Sequence, residues 1–211
     1  TQLAKYLSPQ LHKRIFDEKQ NVQVKSSRKK LTIFFSDIVG FTNITERLES
    51  EELTALLNFY LDEMSTIALK FGGTIDKFVG DAIMIFFGDP DTEGIERDAT
   101  NCVKMAIEMQ KKMHGLSEDW GKMFNLKNPL EIRVSLSTGF CTVGNFGSSD
   151  RLDYTAIGSP VNLAARVQSA ASPSSILISE DTYLLVKDHF NFDKPIELDL
   201  KGIGHPVNCY E

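Results

Sequence analysis

Apolar and polar positions switch between two periods along this 211-residue chain, and the switches mark its elements. Residues 30–36 form a short apolar run, Lys-Leu-Thr-Ile-Phe-Phe-Ser, which predicts a first strand. Over 51–71, the positions Leu53, Leu56, Leu57, Tyr60, Leu61, Met64, Ile67 and Ala68 share one helical face, and Gly72-Gly73 ends that helix. Between strand and helix, Asn43 and Glu46 stand as an N-cap and its partner, predicting a short helix after Gly40. Residues 74–78 and 82–87 predict two strands around Val79-Gly80-Asp81, a tight hairpin in which Gly80 is free to take a positive φ.

Helical spacing returns over 95–113, at Ala99, Cys102, Val103, Ala106, Ile107 and Met113. Residues 115–129 are polar around Trp120 and Pro129, and predict a loop or short helix. Ile132, Val134 and Leu136 alternate, as does Cys141-Thr142-Val143, with Gly139 between them; this predicts a second hairpin, followed by a polar turn over 148–152. Ser159 as N-cap and Pro160 at the next position predict a helix ending near Ala171. A strand over 174–178 follows, then a short helix capped by Ser179 with Glu180 and Asp181 at its positive end. Strands near 190–199 and 206–210 flank Lys201-Gly202-Ile203-Gly204.

This order predicts an α+β fold: a ferredoxin-like βαββαβ core with an antiparallel sheet, carrying a small α/β extension at its C-terminus. Residues 1–29 stand apart. Leu3, Tyr6, Leu7, Leu11 and Ile15 recur at roughly helical spacing and the remainder is polar, so 1–29 is expected to be a lead-in helix and linker, with the main domain over 30–211. The chain begins at Thr1 without a signal-like segment, and is expected to be a piece of a longer protein.

The net charge of -6 argues against a general nucleic-acid binder. No apolar run approaches the roughly 18 residues of a membrane span. Cys102, Cys141 and Cys209 are widely spaced and show neither zinc spacing nor a disulfide frame, which fits the cytoplasm and buried, inert thiols.

Two acids change the picture. Asp37 ends the first apolar strand and Asp81 sits in the turn of the first hairpin. Taken singly, each is an ordinary turn former. Brought together, they would repel unless a divalent cation lay between them, and two Mg²⁺ held against one nucleotide would suit such hard oxygen ligands. Asn162 and Arg166, at i and i+4, share a face near the start of a helix whose apolar neighbours predict burial, so both are expected to have partners. Arg166 offers a fork of donors suited to phosphate. Lys201 lies in a glycine-flanked turn from which it can swing toward phosphate. Lys77, four residues before Asp81, need not reach the same ligand from the same subunit.

Three segments together resemble the catalytic domain of class III nucleotidyl cyclases: Phe-Phe-Ser-Asp-Ile-Val-Gly-Phe-Thr (34–42), Gly-Gly-Thr-Ile-Asp-Lys-Phe-Val-Gly-Asp-Ala (72–82) and Asp-Tyr-Thr-Ala-Ile-Gly-Ser-Pro-Val-Asn-Leu-Ala-Ala-Arg (153–166). The segment 3–10 is similar to the connector before many bacterial members. The resemblance implies that Asp37, Asp81 and the Ile38 carbonyl bind two metals, Mg²⁺ with Mn²⁺ as substitute. It implies that Lys77 and Thr155 contact the purine, that Asn162 and Arg166 act on ribose and reacting phosphorus, and that Lys201 binds triphosphate. It also implies a homodimer with shared sites, an upstream sensory or regulatory domain, and no membrane contact by this domain itself. Thr155 is similar to the residue in bacterial members of the bicarbonate-responsive type.

Lys77 only donates, which suits adenine N1 and conflicts with the guanine N1–H. Thr155 can accept from adenine N6 but can also donate, and so discriminates weakly. The expected activity is therefore conversion of ATP to 3′,5′-cyclic AMP and pyrophosphate, with a guanylyl cyclase or an inactive nucleotide-sensing dimerisation module as alternatives. Some members carry an arginine at the position of Phe140; without it, phosphate binding is expected to lean on Lys201, metal and backbone donors.

Overall fold

A computed structural model describes residues 7–16, 26–148 and 150–211. Leu3, Tyr6, the linker over 17–25 and Ser149 lie outside the described residues. Helix α1 (Pro9–Phe16) is followed by β1 (Ser26–Ile38), α2 (Phe41–Thr45), α3 (Ser50–Lys70), the hairpin β2 (Thr74–Val79) and β3 (Ala82–Phe87), α4 (Ile95–Gly115), α5 (Ser117–Phe124) and β4 (Ile132–Gly147). Then come β5 (Leu152–Ile157), α6 (Ser159–Ala170), β6 (Ile176–Ser179), α7 (Glu180–Val186), β7 (Ile196–Leu198) and β8 (Val207–Tyr210).

The strands form one sheet in the order β2-β3-β1-β4-β6-β8-β7, with β5 also paired to β4. Neighbouring strands among its first four are antiparallel, which is the ferredoxin-like core. The extension joins the same sheet through β6, which runs parallel to β4.

Helices cover both faces, and this explains why the middle of β1 reads as an apolar run. Phe34 and Ile38 pack with Leu56, Tyr60 and Met64 of α3 and with Cys102 and Met109 of α4. On the opposite face Leu31 and Ile33 pack with Met84, Phe86 and Ala164 of α6. Each fully buried side chain of this size contributes about 1.5–3 kcal/mol. Trp120 of α5 is buried, stacked on Phe124 and edge-on to Phe59. All three cysteines are free and buried; burial pushes the Cys141 and Cys209 thiols up to about 11.

Several local expectations are corrected. No turn forms at Gly139: β4 runs unbroken through it, and the hairpin closes at 148–151 with the Ser148 N–H donating to the Arg151 carbonyl at 2.9 Å. The glycine serves packing instead, because a Cβ there would come within 2.6 Å of Pro160 Cγ. Strand β5 was not expected; pairing with β4 supplies it. β1 starts at Ser26 rather than near residue 30, since its charged beginning pairs with the far half of β4. Asn43 lies within α2, whose N-cap is Gly40, and Gly158 rather than Ser159 caps α6. Ser179 does precede α7, but its hydroxyl meets Ser137 at 3.4 Å and Thr182 at 3.3 Å rather than a backbone amide.

Candidate active site

At the C-terminal end of β1, the pairing register sets Asp37 directly opposite Arg133 of β4. The pair is bidentate: Arg133 Nε donates to Asp37 Oδ1 at 3.0 Å and Nη2 to Oδ2 at 2.8 Å. Arg133 Nη1 also donates to the Ser169 carbonyl at 3.3 Å, which ties this corner to α6. The bond to Asp37 raises the Arg133 guanidinium further above its usual value.

Asp81 follows Gly80, which takes a φ of 61° in the β2–β3 turn. Its Oδ2 accepts the Ile38 N–H at 2.7 Å, so the hairpin tip is fastened to the end of β1. The two acids are thereby brought together. Burial, as the largest cause, raises the Asp81 carboxyl; the Ile38 amide pulls it back and the charge of Asp37 raises it again. Below them the Tyr60 and Ser36 hydroxyls are buried without a hydrogen-bond partner within normal limits. Burial, opposed by Ser36 and reinforced by Asp81 and Asp37, pushes the Tyr60 phenol well up.

Two carboxylates at adjoining chain segments fit a hard divalent ion that takes few protein ligands and completes its shell with water and phosphate oxygens. Among the described residues no cluster of three or more His, Cys, Asp or Glu forms, so the donor set does not fit a closed structural zinc site.

Lys77 and Thr155, far apart in sequence, meet at Asp76. The Thr155 hydroxyl donates to Asp76 Oδ2 at 2.6 Å, and the Ala156 N–H reaches the same oxygen at 3.4 Å. Lys77 Nζ lies 3.5 Å from Asp76 Oδ1. The Asp76 side chain is 1% exposed against 47% for Lys77. Burial raises the Asp76 carboxyl, while Thr155, Lys77 and Ala156 pull it back.

A third group gathers at the start of α6. Asn162 and Arg166 line a cleft of about 730 Å³ with Ser137, Phe140, Gly202 and Arg28. The Arg166 guanidinium packs on Gly202, where a Cβ would meet its nitrogens at 3.1 and 3.3 Å. Gly202 therefore brings the turn bearing Lys201 against Arg166. The expected burial of the helical pair is not met in this single chain: α6 buries Ala164 and Val167, but Asn162 is exposed and Arg166 half-buried.

Three residues escaped the sequence reading. Arg133 gave no signal, because its value lies in a cross-strand register. Asp76 stood inside a quoted motif, next to Lys77, without an assigned role. Arg28 lies on the part of β1 expected to be linker; its guanidinium sits 4.8 Å from the centre of the Phe140 ring, so a cation returns to the place where Phe140 had removed one.

Residues 23–211 match the family described as the adenylate and guanylate cyclase catalytic domain. The fold superposes on the crystal structure of the adenylyl cyclase CyaB from P. aeruginosa with a TM-score of 0.85 and 53% identity, covering 88% of this chain and 94% of that one. For the guanylyl cyclase Cya2 the TM-score is 0.82 and the identity 34%, covering 88% and 92%. The terminal-differentiation-specific adenylate cyclase of Dictyostelium discoideum is 36% identical over 188 residues, which are 87% of this chain and 8% of that protein. The chain spans well under half the length of the first curated relatives it matches. Among the described residues no helix is long and apolar enough to cross a membrane. The match over 23–211, the sheet order and the paired acids at Asp37 and Asp81 agree: this chain belongs to the adenylate and guanylate cyclase catalytic domain family.

Proposed function

We propose that this domain is an adenylyl cyclase that converts ATP to 3′,5′-cyclic AMP and pyrophosphate. The ribose 3′-oxygen attacks the α-phosphorus, the bond from that phosphorus to the bridging oxygen of the β-phosphate breaks, and the 3′-hydroxyl proton passes to solvent. The observation that carries the reading is the convergence of Asp37 and Asp81 through the Ile38 amide, in a fold shared at 53% identity with an adenylyl cyclase.

Family membership implies dependence on a divalent metal. We assign it to Mg²⁺, with Mn²⁺ as substitute, held by Asp37, Asp81 and the Ile38 carbonyl. When bound, such ions lower the pKa of the 3′-hydroxyl and offset the triphosphate charge. Arg166 balances charge growing on the α-phosphoryl oxygens, Asn162 orients the ribose, and Lys201 with Arg28 meets the outer phosphates. Lys77 donates to adenine N1 and Thr155 accepts from N6. The cleft lined by Asn162 and Arg166 does not include Asp37 or Asp81, which supports sites completed by a second copy, acids from one and Arg166 from the other. A sensor upstream and a place in the cytoplasm fit the buried, reduced cysteines and the small share of its relatives that this domain spans.

The test is cyclic nucleotide formation from ATP and from GTP, with Mg²⁺ or Mn²⁺. Cyclic AMP is the expected product; cyclic GMP in its place, or nucleotide binding with no turnover, refutes the reading. Mixing an Asp37→Ala chain with an Arg166→Ala chain tests the shared site. Random pairing makes half of the dimers mixed, each with one intact site of two, so about a quarter of parental activity returns. No recovery in proven mixed dimers would rule out sharing.

A further inference from the structure

Resting on the adenylyl cyclase reading, we propose that Asp76 is a positioning residue: it fixes the direction of the Thr155 hydroxyl so that only a purine with an amino group at C6, adenine, is accepted there. Thr155 by itself is ambiguous, because a hydroxyl can donate to guanine O6 as readily as it accepts from adenine N6. The surroundings of Asp76 remove the choice.

Ala156 N–H and the Thr155 hydroxyl converge on the same carboxylate oxygen, Oδ2, at 3.4 and 2.6 Å. A backbone amide only donates, so Oδ2 must accept, and a proton resting on it would face that amide. Protonation of the other oxygen is opposed by the Lys77 ammonium, 3.5 Å from Oδ1. Thr155 is therefore the donor to Asp76. Its single proton is spent inside the protein, and only lone pairs face outward. A guanine O6 placed there would meet oxygen against oxygen, and its N1–H would meet the Lys77 ammonium.

The backbone is built to aim this carboxylate. Strand β2 has an irregularity in its pairing with β3 between Ile75 and Lys77, with Ile75 opposite Ile85 and Lys77 opposite Met84. Asp76 is the extra residue. In a regular strand neighbouring side chains point to opposite faces; a bulge breaks that alternation and re-aims one of them. Here it leaves Oδ2 of Asp76 facing Thr155 while the neighbouring Lys77 ammonium lies 3.5 Å from Oδ1. A carboxylate whose side chain is 1% exposed and which serves three donors is costly to bury unless those donors are present.

The measurement is the ratio of kcat/KM for ATP over GTP, with dissociation constants of 3′-deoxy analogues of both nucleotides in Mn²⁺ as a readout independent of turnover. Asp76→Ala frees the Thr155 hydroxyl to donate, and the ratio should fall about tenfold, one hydrogen bond's worth of discrimination. Asp76→Asn should keep the ratio within about threefold of the parent, because its amide oxygen can still accept from Ala156 and Thr155. In a Thr155→Val background, Asp76→Ala should change nothing further, since Asp76 acts through that hydroxyl.

An unchanged ratio in Asp76→Ala overturns the proposal. So does a full additional drop in the Thr155→Val background, which would mark a merely structural role. If Asp76→Ala fails to fold, Asp76→Ser carries the same expectation. A parent that binds ATP analogues selectively but forms no cyclic AMP sinks the cyclase reading alone; a parent that cyclises ATP while Asp76→Ala keeps its selectivity sinks this inference alone.

Discussion

The β2–β3 hairpin carries acids at two places, and they are held in opposite ways. At the tip, Asp81 is fastened by one backbone amide beside a second acid, Asp37, whose countercharge is a half-exposed arginine across the sheet. Five residues earlier, the Asp76 side chain is almost wholly buried and receives three donors from its own protomer. The tip acids set two carboxylates against one arginine, an arrangement that suits a further cation. The bulge acid is already satisfied, which suits a part that orients others and does not itself react. One hairpin thus holds a carboxylate set beside a second acid and a carboxylate closed in by donors, distinguished by their partners and not by residue type.

Removing the tip acids should have the largest effect. Asp81→Ala or Asp37→Ala should lower cyclic AMP formation at least about a hundredfold, with a melting temperature within a few degrees of the parent. Normal turnover with Mg²⁺ or Mn²⁺ would break the contrast outright. Next, exchanging the base contacts by Lys77→Glu with Thr155→Cys should move the ATP/GTP preference toward GTP by about a hundredfold, read from initial rates of the two cyclic products. An unchanged preference would separate Lys77 and Thr155 from base recognition.

Arg133→Gln should act more mildly. Losing the bidentate hold on Asp37 should weaken the apparent affinity for Mn²⁺ about tenfold in an activity titration. It should cost no more than about 1 kcal/mol of stability, because the pair is partly solvated. The smallest effect concerns pH. Burial holds the folded Asp76 carboxyl above its ordinary value, so between the ordinary and the folded value the native chain binds more protons than the unfolded chain. Stability then falls as pH rises through that window. Thermal melts of Asp76→Asn against the parent should shift in the mutant's favour as pH rises above the ordinary aspartate value of about 4; a difference independent of pH would show that Asp76 titrates normally.

Much of this was legible in the chain, at points where local chemistry decides. Asp37 and Asp81 announced themselves because a charge in an apolar strand or at its turn calls for a partner. The Asn162–Arg166 face of α6 followed from a period of 3.6, and Gly80 did take the positive φ its turn required. Gly139 misled, because a glycine between two alternating runs has the same signature whether it turns the chain or lets Pro160 pack against it. Arg133 and Asp76 were silent for another reason. Their partners lie 96 and 79 residues away, beyond any window that periodicity can sense.

By itself, the sequence determined the order of the helices and of the strands other than β5, the strand-end and turn placement of the two acids, and the family. Periodicity, turn residues and capping act within a few neighbours, so they are written locally. The tertiary structure alone decided that Arg133 faces Asp37, that Arg28 lies over Phe140, and that a bulge turns Asp76 onto Thr155. Those outcomes depend on sheet register. Register is set by packing the whole apolar set of each strand against helices on both faces, and a slip of one residue would send every side chain to the other side.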